Sequence, residues 1–474
     1  MTGRRNVDRR PRFAGALRGC ALGAALLACG ACAPEPRDGL VLITIDTLRA
    51  DAVGAFGRED ARTPVLDRLA REGVRAYAYA PIPLTTPSHA SILSGLHPAS
   101  HGVRKHGQVL SDRFETLAER LRSHGFLAGA VVSGAPLHPY FGLDQGFDAF
   151  DAQDIEGDGR RADAATDAAL AVADGLLARS DTAPVFLWVH YFDPHSAYAP
   201  PPPFDQLWDE APGPWDGSHE THNRVIYEGL PASPELLARN RNLYQGEVAY
   251  TDRAIGRLLD GLAERGLGDA LVAVTADHGE SFAPEYPFDH ADRLYDSILR
   301  VPLIVKGGGL PPERFFEGAV PLEDIAPTLL ELLGFEPPVA LDGRSRAAEL
   351  AGRAPVTDPP IFAESPRIPP RPERRQSGRN EGALRAVQRG DCKLVFNLDT
   401  GLERVSDLRR GADEAARPGV PPPAGRCDAD ALRALHAAWA RAHPHALEQR
   451  ASTTSPPLPV DLREQLLALG YAVE

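Results

Sequence analysis

The chain has fewer basic than acidic residues. Its 474 residues include 51 Lys and Arg against 65 Asp and Glu, which gives a formal net charge of −14 at pH 7. Proteins that bind nucleic acid through its phosphates carry a basic patch or stripe, and nothing in this sequence resembles one. We therefore expect no nucleic-acid partner.

Apolar runs long enough to cross a membrane are also missing. The apolar run at 19–28 follows a basic segment at 1–12. A helix needs roughly 20 apolar residues to span a hydrocarbon core about 30 Å thick, so this run is too short. A short apolar run behind a basic segment is typical of a secretory signal peptide, and we expect the protein to be exported.

The tetrapeptide LLAC at 26–29 resembles a bacterial lipobox. On this interpretation residues 1–29 are the signal peptide with its lipobox, and Cys29 becomes the lipidated first residue of the mature protein. Cys32 is the second candidate, and a simple signal peptide cleaved near Ala31 or Ala33 is the alternative. The lipoprotein would lie in the periplasm or at the outer membrane of a Gram-negative bacterium, with the lipid anchor as its one membrane contact.

Cysteine is scarce as well, because three of the five cysteines fall within the first 32 residues. Cys392 and Cys427 are the other two. In an oxidising compartment they can form a disulfide, and two unpaired surface thiols are equally compatible with the sequence.

What the sequence does contain is an alternation of strand and helix patterns over residues 38–355. The strand patterns are at 39–46, 126–133, 183–195, 269–280 and 300–307, and the helix patterns are at 64–74, 116–125, 163–180 and 242–266. This alternation predicts an α/β fold with a doubly wound sheet covered by helices. A stretch at 199–235 is rich in Pro and Trp and lacks periodicity, so we interpret it as an ordered loop at a substrate entrance.

The pattern changes in the last quarter of the chain. Residues 356–380 are rich in Pro and Arg and are interpreted as a linker. Residues 381–474 are expected to form a small C-terminal α+β subdomain and tail. The subdomain begins with a β-hairpin at 383–397 that turns at Gly390-Asp391, and the tail ends in a short helix.

Three of the predicted strands end in side chains that bind metals. Asp46 follows the first strand, Asp193 and His195 follow the strand at 183–195, and Asp277 and His278 follow the strand at 269–280. Ligands of open α/β sheets bind outside the carboxyl ends of the strands, so these side chains are expected to converge.

The segment LTTPSHASILSG at 84–95 predicts the start of a helix. Pro87 suits a first helical turn, with Thr86 as the N-cap or close to it. Thr85 would then lie just before the helix N-terminus, where unpaired N–H groups favour an anion such as phosphate or sulfate. The simpler interpretation is that the two threonines only cap the helix.

These motifs together resemble the sulfatases of the alkaline phosphatase superfamily. ITIDTLRAD, TPVLDRLAREGV, LTTPSHASILSG, HPASHGV, DPHSAY, TADHGE with LRVPLIV, and LDGRS follow in the family's order over roughly residues 39–350. The segment 383–410 is similar to the family's small C-terminal sheet domain. The resemblance implies a mixed β-sheet between helices and one divalent cation that holds the nucleophile and the oxyanion.

The resemblance also assigns site residues. Thr85 occupies the position of the family's Cys or Ser nucleophile, which is converted to formylglycine, and threonine cannot undergo that conversion. His89 replaces an Arg, Thr47 replaces an Asp, and His290 lies closest to the position of a Lys. The implied catalytic residues are Thr85, His89, His195 and His290, and the implied metal ligands are Asp46, Thr85, Asp277 and His278.

These differences from the family's motif change the reaction and the metal that we expect. A formylglycine hydrate releases sulfate through its second hydroxyl, which threonine lacks, so an intermediate on Thr85 must be opened by water. The cation is Ca²⁺ as in sulfatases, or Mn²⁺ or Zn²⁺, since Thr47 and His278 supply fewer hard oxygen ligands.

We therefore expect an exported, metal-dependent hydrolase of a sulfuric ester or of a phosphate or phosphonate ester, acting on a small molecule or a glycan through a threonine nucleophile. One alternative is a transferase that moves phosphoethanolamine or phosphoglycerol onto envelope glycans. The other is a binding module on a catalytically decayed sulfatase fold. The sequence does not indicate an oligomeric state.

Overall fold

A mixed β-sheet of eight strands forms the centre of the protein. The computed structural model describes residues 39–469 except 154, 156–158, 209–215, 227, 368–381, 411–421, 423–424 and 444–456, so the predicted signal peptide and Cys29 lie outside the described residues. The strands are β1 (Gly39–Ile45), β2 (Val74–Tyr79), β3 (Leu127–Val131), β4 (Ala149–Asp151), β5 (Val185–Tyr191), β6 (Leu271–Ala276), β9 (Arg300–Lys306) and β10 (Arg314–Pro321), and a separate hairpin consists of β7 (Ser281–Ala283) and β8 (Tyr286–Asp289).

The strand order of the large sheet is β10-β2-β9-β6-β1-β5-β3-β4. Strand β9 runs antiparallel to both of its neighbours, and the other strands are parallel. Every residue of β1, β5 and β6 is buried, as expected for central parallel strands that are covered on both faces. The predicted fold class and all five predicted strands are confirmed.

Helices account for most of the remaining elements, and several of them pack against this sheet. They are α1 (Pro64–Glu72), α2 (Thr85–Ser94), α3 (Pro98–His101), α4 (Leu117–Ser123), α5 (Ala162–Leu177), α6 (His219–Ile226), α7 (Pro234–Glu264), α8 (Asp296–Leu299), α9 (Ile325–Leu332), α10 (Ala347–Leu350), α11 (Ala429–Ala442) and α12 (Val460–Ala468). In the part of the chain that the structure describes, none of these helices is both long and apolar enough to cross a bilayer.

The helix predictions at 64–74, 116–125 and 163–180 are confirmed, but the stretch at 199–235 differs from expectation. Helix α6 lies inside this predicted loop. Helix α7 also begins within it, at Pro234, where the Ser233 side chain accepts a hydrogen bond from the backbone N–H of Leu236. The prediction of a start at 242 was wrong because a Ser-Pro pair is a stronger helix-start signal than the apolar periodicity that follows it.

The sequence pattern does not predict β2 or β10. Strand β2 follows α1 after a single residue, Gly73, so its short alternating pattern merges with the end of the helix. Strand β10 is an edge strand that pairs only with β2 among the described strands, and its exposed residues hide the alternation. Both strands are recognisable only once their partners are in place.

A second, antiparallel sheet has the order β11-β12-β13-β14, with strands Ile361–Ser365, Leu384–Arg389, Cys392–Asn397 and Glu403–Asp407. The predicted hairpin at 383–397 and its turn at Gly390-Asp391 are confirmed, and Gly390 has a φ of 55°. Strand β11 comes from the stretch interpreted as a linker. Cys392 and Cys427 form a disulfide, which ties β13 to the start of α11.

The small sheet packs against the part of the chain that forms the large one. Arg104 Nε lies 2.5 Å from Oε1 of Glu364, and the Glu364 N–H donates to the carbonyl of Pro81 at 2.9 Å. The Ser365 hydroxyl donates to the carbonyl of Ala291 at 3.0 Å. This last contact holds the segment that follows β8, which carries His290.

Candidate active site

The candidate site lies where β1 and β6 end. The two strands are parallel neighbours in a register that pairs Ile45 with Ala276, so the residues that follow them are brought side by side. One ligand atom each from Asp46, Asp277 and His278 lies within 4.8 Å of the others. The predicted convergence of these three residues is thus present.

Several buried polar atoms at this point have no hydrogen-bond partner among the described residues. They are both carboxylate oxygens of Asp46, Oδ2 of Asp277, Nε2 of His278 and the hydroxyls of Thr47 and Thr85. A buried polar atom without a partner is costly, and such atoms are rare in folded proteins. Two carboxylates, an imidazole and two hydroxyls are the donor set of a divalent cation site, so the residues present fit the cation that the resemblance implies.

The backbone around Asp277 and His278 orients these side chains. Oδ1 of Asp277 accepts the N–H of His278 at 2.8 Å and that of Thr47 at 3.3 Å, which leaves Oδ2 for a ligand. Nδ1 of His278 donates to the carbonyl of Gly279 at 3.1 Å, so the lone pair of Nε2 points toward Oδ2 of Asp277, 3.3 Å away. Burial lowers the pKa of His278 well below its usual value, which keeps the imidazole in the neutral form that binds metals.

The pKa values of the two carboxylates are shifted upward, whereas that of His278 is shifted downward. Burial, followed by the charges of Asp277 and Glu280, raises the pKa of Asp46 well above its usual value. Burial also raises the pKa of Asp277, against the nearby imidazole of His89. Two adjacent buried carboxylates repel each other, and a cation between them removes that cost.

Thr85 opens helix α2. The N-cap is Leu84, and no side chain caps the helix. The Thr85 hydroxyl is buried, has no hydrogen-bond partner elsewhere in the described part of the chain, and lies close enough to Asp46 to lower the pKa of that carboxyl. The first turn of α2 therefore brings a hydroxyl and the unpaired N–H groups of a helix N-terminus to the cation ligands.

Thr86, predicted as the N-cap or close to it, is the second residue of this helix and its side chain does not cap it. Its hydroxyl donates to the carbonyl of Pro136 at 2.5 Å and lies 2.9 Å from Nδ1 of His106. Since neither threonine caps the helix, the simpler interpretation of the segment does not hold either.

His89 lies one helical turn after Thr85. Its Nδ1 donates to the Thr85 carbonyl at 2.8 Å, and its Nε2 lies 3.0 Å from the hydroxyl of Thr44. Both ring nitrogens are therefore engaged within the protein. The structure places His89 where it holds the backbone of Thr85, with Nδ1 also 3.7 Å from Oδ2 of Asp277.

His195 and His290 lie at the same site. The ring of His290 stacks on that of His278 with centroids 4.3 Å apart, and the His195 ring meets His290 edge to face at 5.4 Å. Burial lowers the pKa of His195 well below its usual value. Burial has the same tendency at His290, but the Glu280 carboxylate outweighs it and raises the pKa of that imidazole.

Comparison with known proteins identifies the family. A model of the sulfatase family matches residues 39–335. The chain belongs to the sulfatase family. Members of this family use a divalent metal, and the protein is a hydrolase that acts on sulfuric or phosphoric ester bonds.

Among curated relatives, the arylsulfatase of Clostridium perfringens is 26% identical over 375 residues, which cover 65% of this chain and 77% of that protein. The multifunctional alkaline phosphatase superfamily protein PehA of Trinickia caryophylli is 26% identical over 400 residues, which cover 66% of this chain and 77% of that protein.

Solved structures of sulfatase-like proteins share the fold. BT4656, solved in complex with its substrate D-glucosamine-2-N,6-O-disulfate, superposes with a TM-score of 0.68 at 18% identity, covering 88% of this chain and 100% of that one. The phosphonate monoester hydrolase of Silicibacter pomeroyi superposes with a TM-score of 0.67 at 22% identity, covering 88% of this chain and 97% of that one.

Two residues of this sulfatase site are missing from the sequence prediction. His190, in β5, has Nε2 3.5 Å from Oδ2 of Asp46, and Glu280 has Oε1 3.5 Å from Nδ1 of His290. Glu280 is signalled by its place in TADHGE, two residues after His278. His190 is signalled only as the polar residue in an otherwise aromatic and apolar strand.

Asp193 is one predicted strand-end residue that does not reach the sulfatase metal site. Its Oδ1 lies 2.9 Å from Nη1 of Arg161, and its Oδ2 accepts the N–H of Ala162 at 2.7 Å. The side chain thus caps α5 from outside the helix. It also precedes the loop that carries His195, so its role is to fix that loop.

Proposed function

We propose that this sulfatase-family protein hydrolyses a sulfuric ester, or a phosphate or phosphonate ester, of a small molecule or glycan with Thr85 as the nucleophile. The observation that carries the proposal is the buried hydroxyl of Thr85, which lies beside Asp46 at the N-terminus of α2 and is not tied to any other side chain that the structure describes. Relatives named as an arylsulfatase and as a multifunctional alkaline phosphatase superfamily protein support both classes of ester.

Asp46, Asp277 and His278 would hold one divalent cation, with the hydroxyls of Thr85 and Thr47 as further oxygen donors. When bound, such a cation lowers the pKa of a nearby alcohol and offsets the charge that develops on the ester oxygens. Because the donor set includes an imidazole, Mn²⁺ or Zn²⁺ suits it better than Ca²⁺.

In the first step the Thr85 hydroxyl releases its proton to solvent and Oγ1 forms a bond to sulfur or phosphorus, while the bond to the leaving oxygen breaks in line. His290 gives its proton to that oxygen, since the nearby Glu280 carboxylate stabilises the protonated imidazole. The N-terminus of α2 stabilises the negative charge on the other oxygens. In the second step water attacks the same atom, the bond to Thr85 breaks, and a proton from the water returns to His290. Oγ1 takes a proton back from solvent when its own bond to that atom breaks.

Replacement of Thr85 tests this proposal. Thr85→Ala removes the nucleophile and is expected to lower kcat by at least about 1,000-fold, because loss of a nucleophile costs several orders of magnitude. Thr85→Ser keeps the hydroxyl and is expected to retain much of the activity. The assay uses aryl sulfate, phosphate monoester, phosphate diester and phosphonate monoester substrates, with a thermal unfolding scan of each variant.

Near-normal rates in a folded Thr85→Ala protein would place the nucleophile elsewhere. A wild-type protein that binds one of these esters but hydrolyses none would favour the decayed binding module instead.

We also propose that the protein is exported and attached to a membrane through Cys29. The support is the basic and apolar N-terminal sequence with its LLAC tetrapeptide. The Cys392–Cys427 disulfide adds to it, because disulfides persist in oxidising compartments.

A further inference from the structure

His190 lies fully buried in β5, next to the candidate metal site. In the sheet register it pairs with Thr44 of β1, two residues before Asp46. Its imidazole lies between the backbone of Ser133 on one side and the Asp46 carboxylate on the other. Nothing in the reaction described above uses this side chain.

The backbone fixes which nitrogen of His190 carries the proton. The N–H of Ser133 donates to Nδ1 at 3.3 Å, so Nδ1 must present its lone pair. A doubly protonated ring would direct an N–H at the N–H of Ser133, and the neutral ring therefore carries its hydrogen on Nε2. An Nε2 that bears a hydrogen cannot coordinate a cation, which excludes His190 as a metal ligand.

The hydrogen on Nε2 faces one oxygen of Asp46. Nε2 lies 3.5 Å from Oδ2 of Asp46, and both atoms are buried with no closer hydrogen-bond partner among the described residues. The second oxygen of Asp46, Oδ1, lies on the side of His278, 4.0 Å from its Nε2. The two oxygens of this carboxylate thus face different groups.

We propose that His190 is a positioning residue that donates its Nε2 hydrogen to Oδ2 of Asp46 and leaves Oδ1 as the single oxygen for the cation. This inference rests on the cation site of the proposed function. A carboxylate held in this way favours cation binding through one oxygen, because a lone pair of Oδ2 is already used, and this disfavours Ca²⁺, an ion with six to eight oxygen ligands, relative to Zn²⁺ or Mn²⁺. His190 therefore contributes to the choice of metal.

The test measures cation affinity of the full-length mature protein and its variants, by competition with chelators, for Zn²⁺ and Ca²⁺. His190→Phe keeps a ring and removes the donor, and it is expected to weaken Zn²⁺ binding about 10- to 100-fold, the usual effect of removing such a partner. Ca²⁺ binding is expected to weaken less or to improve. His190→Gln restores a side-chain N–H donor and is expected to recover part of the Zn²⁺ affinity.

Three controls make the result specific. Thr166→Val breaks the buried hydrogen bond to the hydroxyl of Tyr191, next to His190 on the same strand, and should lower stability without changing cation affinity. Asp277→Ala should abolish binding, and failure there would contradict the cation site itself rather than the role of His190. The visible spectrum of the Co²⁺-loaded protein should keep its band positions in His190→Phe.

Unchanged Zn²⁺ affinity in both His190 variants would overturn the proposal. A large shift of the Co²⁺ bands in His190→Phe would also overturn it, because that shift indicates the loss of a direct nitrogen ligand. If His190→Phe does not fold, the comparison of the wild type with His190→Gln still tests the proposal. The His190→Gln protein must then bind Zn²⁺ more weakly than the wild type and show the same Co²⁺ bands.

Discussion

Thr85 and Thr86 are adjacent residues with the same side chain, yet the fold uses their hydroxyls differently. The hydroxyl of Thr85 has no hydrogen-bond partner among the described residues and lies beside Asp46, whereas that of Thr86 connects Pro136 with His106. Successive residues of a helix point about 100° apart, so neighbours in the first turn of α2 meet different surroundings. The proposed nucleophile is therefore Thr85, whose hydroxyl is not used by such contacts.

Thr86→Val is expected to destabilise the protein by about 2–3 kcal/mol, because it leaves the Pro136 carbonyl and Nδ1 of His106 buried without their partner. The matched control is Thr116→Ala, which removes a true helix cap, part of a capping box with Glu119, and should cost about 1 kcal/mol. Urea unfolding of both variants measures the difference. Equal costs would contradict the larger penalty expected for leaving the Pro136 carbonyl and Nδ1 of His106 without Thr86.

Helix starts in this fold depend on side chains from other elements. Helix α1 begins at Pro64, and its next two N–H groups, those of Val65 and Leu66, donate to the carboxylate of Asp252 in α7. The four-residue helix α3 is capped by a histidine, because Nδ1 of His97 accepts the N–H of Ala99. Neither partner is a standard cap in the local sequence.

His97 also makes the cap of α3 sensitive to pH. Its Nε2 donates to the carbonyl of Phe362, so both nitrogens are used in the neutral ring. Burial lowers the pKa of His97 to about 4, although the carboxylates of Glu364 and Asp342 act in the opposite direction. Between pH 6.5 and about pH 4, His97 binds a proton in the unfolded chain but not in the folded chain. The free energy of unfolding therefore falls as the pH is lowered through this range.

His97→Asn keeps an oxygen that can accept the N–H of Ala99 and removes the titration. Its free energy of unfolding is expected to fall less steeply than that of the wild type between pH 6.5 and 4, by up to about 1.4 kcal/mol per pH unit. Denaturant unfolding at a series of pH values measures both slopes. Parallel curves for the two proteins would contradict the assignment.

On the scale of the whole molecule, the small sheet supports the catalytic domain. The Glu364 ion pair with Arg104 connects β11 to the segment after α3, and the hydrogen bond from Ser365 to Ala291 connects it to the segment that carries His290. His97 joins the same surface through the carbonyl of Phe362. The site is therefore built by the large sheet and held on one side by the small one.

The proposed attachment of the whole molecule to a membrane depends on Cys29. In a Gram-negative host the wild-type protein is expected to sediment with membranes, and Cys29→Ser is expected to be released as soluble protein or to remain unprocessed. Fractionation followed by mass spectrometry of the mature N-terminus measures both outcomes. Cys32→Ser is the matched control and should behave as the wild type, and a wild-type protein found only in the soluble fraction would contradict the proposal.

The sequence by itself determined the α/β class, the central strands and the convergence of Asp46 with Asp277 and His278. Central parallel strands are buried on both faces, so they appear as apolar runs, and the residues directly after them lie at one edge of the sheet by necessity. Only the tertiary structure decided the rest, which includes the free hydroxyl of Thr85 and the place of His190. The hydrogen-bond partner of a buried side chain comes from a distant part of the chain, as Pro136 does for Thr86, and no local pattern records which atoms packing will bring together.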